Sequence, residues 1–197
     1  MKTRSVIGNW KAACVLAGSV LVIGLLGVGP LSGAIDMFLK IEGIDGESAD
    51  KMHKGEIDVL AWSFGMSNSG STYLGGVGGS GKANFQDLSF TKWIDKSSPK
   101  LMFGCASGQR IPKATLVVRK AGDTQFEYLT YELTDLIVTS VSTGGSGGED
   151  RLTENVTLNF AQIKVTYNEQ RPDGSSAGAV DFNWNIAENS PRGSGLD

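Results

Sequence analysis

Beyond residue 35 the apolar residues alternate with polar ones in short runs, the period of strands buried on one face. Met37-Phe38-Leu39-Lys40-Ile41 reads as a first strand, closed by the turn residues Gly43 to Glu47, and Ile57 to Phe64 as a second. Between Gly65 and Lys82 seven glycines stand among serine and asparagine. That stretch offers too little apolar surface to pack and predicts a long exposed loop. Phe85, Leu88 and Phe90 open another strand, and Ala114 to Lys120, Gln125 to Leu133, Leu136 to Ser142 and Asn155 to Tyr167 follow as four more. In the last of these the apolar phase slips by one at Ala161-Gln162, which predicts a β-bulge that bends the strand. Val180, Phe182 and Trp184 mark a final strand.

One segment departs from this period. Ser98-Pro99, followed by Gly108, predicts a short helix with Ser98 able to cap it, Pro99 at its first position and Gly108 just past its end. Leu101, Met102 and Cys105 then share one side. The pattern as a whole predicts a mainly β fold, a small antiparallel barrel or sandwich with one short flanking helix, over residues 35–188. Residues 189–197, opening on Asn189-Ser190-Pro191-Arg192-Gly193, read as a flexible C-terminal tail.

The first 34 residues have another character. Lys2, Arg4 and Lys11 precede an uncharged apolar run from Ala12 that ends in Leu31-Ser32-Gly33-Ala34. Basic, then apolar, then small residues is a secretory signal layout, with cleavage expected between Ala34 and Ile35. The run is also long enough for an uncleaved membrane anchor, which would be the chain's only membrane contact.

Composition sharpens the picture by exclusion. With 40% apolar and 20% charged residues the chain is ordinary globular material. Past residue 34 it holds 15 basic against 21 acidic groups, with no basic stripe, which argues against a nucleic-acid partner. Two cysteines, Cys14 and Cys105, rule out a disulfide framework. His53 is the sole histidine, so a zinc site or a serine-histidine relay would rest on it alone, and it stands in a polar stretch. Gly144-Gly145-Ser146-Gly147-Gly148 fits the nucleophile-elbow pattern without the strand-turn-helix context. Gly76 to Ala83 approaches a phosphate loop but has Ala83 where a hydroxyl should stand, and it leads into a strand. No catalytic residue, metal or cofactor is expected. The residues alone leave a self-assembling subunit open beside a monomeric periplasmic or cell-surface domain that binds a glycan or peptide.

Three blocks in order carry a family resemblance. Asp36 to Ile41 with Gly46-Glu47-Ser48, His53 and Ile57 resembles the opening of the Hcp proteins, the tube subunits of type VI secretion systems. Leu88 to Lys92, Asp95, Ser98-Pro99 and Cys105 resemble that family's central strand and helix. Leu133 to Ser142, running through Gly144 to Leu158, is the most specific block, and the Asp173 to Gly178 turn with Phe182 and Trp184 agrees. The resemblance implies a homo-hexameric ring, rings stacked into a hollow tube, effector proteins in the lumen, a VgrG-type spike and a contractile sheath. It also implies ring and tube contacts at Glu47, Ser48 and His53 and, in the glycine-rich loop, at Ser71, Tyr73 and Leu74. Family members ordinarily assemble in the cytoplasm and leave by type VI export. The signal-like first 34 residues depart from that route and imply a secreted, extracellular or periplasmic relative.

Overall fold

The structure, a computed structural model, describes residues 35–70, 82–120, 125–148 and 150–191. In chain order the elements are β1 (Ile35–Ile41), β2 (Ile57–Ser63), β3 (Met66–Asn68), β4 (Ala83–Phe85), β5 (Leu88–Trp93), α1 (Ser98–Ser107), β6 (Ile111–Lys120), β7 (Phe126–Gly144), β8 (Thr153–Gln170), β9 (Ser176–Asn185) and β10 (Ser190–Pro191). Strands β8, β5, β2, β1, β6 and β7 pair in that order, and β7 pairs back to β8, closing a six-stranded antiparallel barrel. The expected mainly β barrel with one flanking helix is therefore the fold. Strands β3 and β4 form a separate small ribbon.

The closure depends on the length of β8. Its first part, Thr153 to Leu158, pairs with β5, and its second part, Gln162 to Gln170, pairs with β9 along the same edge. The opposite edge pairs with β7 from Thr153 to Tyr167. A core of Leu39, Ile57, Leu88, Phe90, Leu101, Leu116, Leu133, Leu136, Leu158 and Ile163 fills the interior, and full burial of each such side chain stabilises by about 1.5–3 kcal/mol.

Several local expectations change. Gln125–Leu133 and Leu136–Ser142 are not two strands but the single strand β7, which runs through Asp135 at a left-handed φ of 52°. The phase slip at Ala161-Gln162 involves no register shift: Leu133 pairs with Ile163, and Leu136 with Phe160, in one register. Both strands of the hairpin turn over together there, so neither gains a residue on the other. The register shift lies instead between Val138 and Ser140 on β7. At the helix, Ser97 rather than Ser98 occupies the N-cap position and makes no side-chain cap bond, while Gly108 ends the helix at φ 63° as expected. Ser190–Pro191, inside the expected tail, pair with Asn185 and Trp184.

The β1–β2 connection folds back on the barrel through tight backbone packing. Gly46 lies against the Glu56 carbonyl oxygen and 2.6 Å from Ile57 Cα, measured from where a β-carbon would stand. Gly46→Ala is expected to destabilise the protein by about 1–3 kcal/mol, read as a lower urea midpoint.

Candidate functional site

The strand registers produce an apolar sheet that outruns the barrel. Ile41, Ala114, Leu133, Ile163 and Trp184 stand side by side across β1, β6, β7, β8 and β9. Leu39, Leu116, Tyr131, Val165 and Phe182 form the next row, and Met37, Val118, Leu129, Tyr167 and Val180 the third. All fifteen lie on the face that lines the barrel, because side chains two apart on a strand share a face. Trp62, Phe64 and Phe85 cover the middle, with Trp62 4.8 Å from Tyr131 and Phe85 6.4 Å from Trp184 between ring centroids. Burial then fails along the third row: Val118 is 3% exposed, Tyr167 49% and Val180 63%.

That corner also has an open edge. Among the described residues β9 pairs outward only at Trp184 and Asn185, through β10, which leaves its stretch from Ser176 to Asn183 without an outer partner. The indole nitrogen of Trp184 is buried and bonds to nothing described. Unpaired strand edges and apolar surface are what proteins ordinarily cover.

The second surface is the 46–56 loop, held by Arg119 of β6. The Arg119 guanidinium donates to Asp50 Oδ2 at 2.7 Å and Oδ1 at 3.2 Å and to Asp36 Oδ2 at 2.9 Å. It stacks 4.8 Å from the Phe38 ring centroid, and His53 stacks on that ring at 4.2 Å. Its hydrogen bonds to Asp50, opposed by desolvation and helped by the backbone amides of Met52 and His53, hold that carboxyl far below the ordinary carboxylate range. A carboxyl lowered in the folded state contributes stability above its unfolded pKa and loses it as pH falls further. Wild-type stability is therefore expected to drop below about pH 4, and Arg119→Met to flatten that limb; urea midpoints at pH 7, 4 and 3 check it.

Of the residues expected to make ring contacts, Glu47 is exposed, and its carboxylate accepts from the Lys96 amide at 3.1 Å. Ser48 and His53 are buried in the chain itself, so they shape the loop whose outer surface carries Glu47, Ala49, Lys51, Met52 and Lys54. Ser71, Tyr73 and Leu74 lie outside the described residues, as does Ala34, while Ile35 opens β1 and is exposed. Reasoning from pattern missed the β8–β9 corner, although Val180, Phe182 and Trp184 were read as a strand; only pairing shows which of their neighbours run out.

Among the described residues, Ser98 places a hydroxyl beside a buried lysine. Lys92 Nζ lies within hydrogen-bond distance of four acceptors, Ser98 Oγ at 3.1 Å, Glu154 Oε1 at 2.8 Å, Asp95 Oδ1 at 2.8 Å and the Trp93 carbonyl at 2.7 Å. Both Lys92 and Glu154 have 0% side-chain exposure, so no substrate reaches them, and the cluster ties α1 to the ends of β5 and β8. No cluster of metal-ligating side chains occurs among the described residues.

A closed barrel with an overhanging apolar sheet and a pinned surface loop defines a structural subunit that packs against neighbours. A family model described as "Type VI secretion system effector, Hcp" matches residues 38–167. Protein hcp1 of Pseudomonas aeruginosa is 61% identical over 158 residues, covering 79% of this chain and 98% of that one. A solved structure described as a type six secretion system protein superposes with a TM-score of 0.76 at 30% identity, covering 81% of this chain and 100% of that one. Hcp1 from Salmonella typhimurium does so at 0.68 and 42%, with 81% and 99% covered.

The chain belongs to the Hcp family of type VI secretion proteins. It is a structural subunit of the secretion tube, self-associating in stacked rings, and the monomeric binding-domain alternative gives way to that role.

Proposed function

We propose that the ring closes head to tail with the β8–β9 corner of one subunit seated against the next, and that the 46–56 loop contributes contacts alongside it. The apolar rows that run out to exposed Tyr167 and Val180 beside an unpaired strand edge carry this reading. A heterologous interface of that kind closes into a ring when its rotation permits. Work is done by the surface and the central hole, without catalysis. Effector proteins in the lumen, a VgrG-type spike and a contractile sheath are the partners that family membership carries to this chain.

Residues 1–34 act in this reading as an export signal cut between Ala34 and Ile35, or as an anchor, placing assembly outside the inner membrane. Negative-stain imaging of the purified protein tests the ring: uniform six-fold particles are expected, and a monodisperse monomer at high concentration overturns it. N-terminal sequencing of the native protein tests the leader, since a start at Met1 in membrane fractions excludes cleavage.

A further inference from the structure

His53 is the sole histidine, and both of its ring nitrogens face carboxylates. Nδ1 lies 2.9 Å from Glu56 Oε2, on its own loop, and Nε2 lies 3.4 Å from Glu127 Oε1, on β7. An ionised carboxylate only accepts hydrogen bonds, so the contact to Glu56 requires the proton on Nδ1. A neutral ring then presents a bare Nε2 lone pair to Glu127. Nε2 is buried, and its 3.4 Å contact with Glu127 falls short of a hydrogen bond. Only the doubly protonated ring suits both neighbours, and it would bridge the loop to the barrel wall with two charge-assisted contacts.

We propose that His53 is a proton-operated latch: protonating Nε2 fastens the 46–56 loop to β7 through Glu127, and losing that proton removes this fastening while the Arg119 bonds to Asp50 stay in place. The groups packed around the ring are consistent with the direction. Asp50 accepts from the His53 amide at 3.1 Å and adds a third negative charge nearby. Arg119, which also packs on the Phe38 ring, opposes a second cation, but its charge is met by Asp36 and Asp50. Lys51 and Lys54 flank the ring in sequence and are exposed. Histidine is the side chain that ordinarily changes charge between about pH 5 and 8.

The amides of Gly46, Ser48, Gly55 and Glu56 donate within the loop, to Gly55, Glu56, Ser48 and His53 carbonyls at 2.8, 2.9, 2.9 and 3.1 Å. Their hydrogen-exchange protection, corrected for intrinsic pH dependence, is expected to fall roughly tenfold between about pH 5.5 and 8, the loss of one charge-assisted bond. Glu127→Gln should flatten the change, because an amide can donate to a neutral Nε2 or accept from a protonated one. Equal protection at both pH values in the wild type overturns the proposal, as does an undiminished fall in Glu127→Gln. Exchange is read amide by amide in the purified protein, so a failed latch and a failed ring reading give different results.

Discussion

Lys92→Met is expected to lower stability by about 3–5 kcal/mol, a drop of roughly 10 °C in Tm for a domain of this size. The methionine fills the space of the lysine stem, so the loss comes from charge and not from a cavity. Without Lys92, the Glu154 carboxylate stays fully buried with one oxygen accepting only from Ser98 at 2.7 Å and the other bonding to nothing described. An ion in that position keeps most of its desolvation cost and loses the partner that offset it. Lys92→Met with Glu154→Leu should recover most of the loss, because removing both charges leaves an ordinary apolar contact between β5 and β8. Asp95 would still accept from Ser97 through its amide and hydroxyl, and Ser98 from the Asp95 amide. Urea unfolding of the three proteins decides the matter. A single mutant within about 1 kcal/mol of wild type would mean that Glu154 finds water or a proton, and the pair would then not be the tie described.

Tyr167→Glu combined with Val180→Glu is expected to leave a folded chain that no longer forms rings. In the separate chain both positions are about half exposed or more, so the substitutions cost the fold little. In the ring each would place a carboxylate against apolar surface, and an uncompensated buried charge costs several kcal/mol. Assembly should weaken by a hundredfold or more, on the order of 3 kcal/mol per interface. Sedimentation would show the monomer over a concentration range where the wild type is a ring, with unchanged circular dichroism. Rings that persist in the double mutant would move the interface away from the β8–β9 corner while leaving the tube role intact.

The two predictions depend on features that differ in how far they could be read in advance. Lys92 follows Leu88 and Phe90 at period two, and Glu154 precedes Val156, Leu158 and Phe160 in the same way. A charge at an inward position of an apolar strand is a visible signal, though the pattern cannot say which opposite charge meets it 62 residues away. The corner gave no comparable signal, since Tyr167 and Val180 alternate like any core residues. Arg119 is harder still: Val117, Val118 and Arg119 are all buried, because the barrel covers one face of β6 there and the 46–56 loop covers the other.

Local chemistry determined most of the elements. Period-two alternation marked the longer strands, Pro99 with its fixed φ and Gly108 with its tolerance of a left-handed φ bounded the helix, and three ordered blocks of residues resembled the Hcp family. The lone histidine and the glycine-rich stretches also failed as catalytic motifs on context that the chain itself supplied. Tertiary structure alone decided that one hairpin turns over at Asp135 and Ala161-Gln162 without losing register, that Ser98 serves a buried cluster instead of the helix cap, and that His53 lies between two carboxylates. It also decided where the apolar face ends. Side-chain period records which face a residue takes, and that face is covered or left open according to which distant strand or loop pairs beside it.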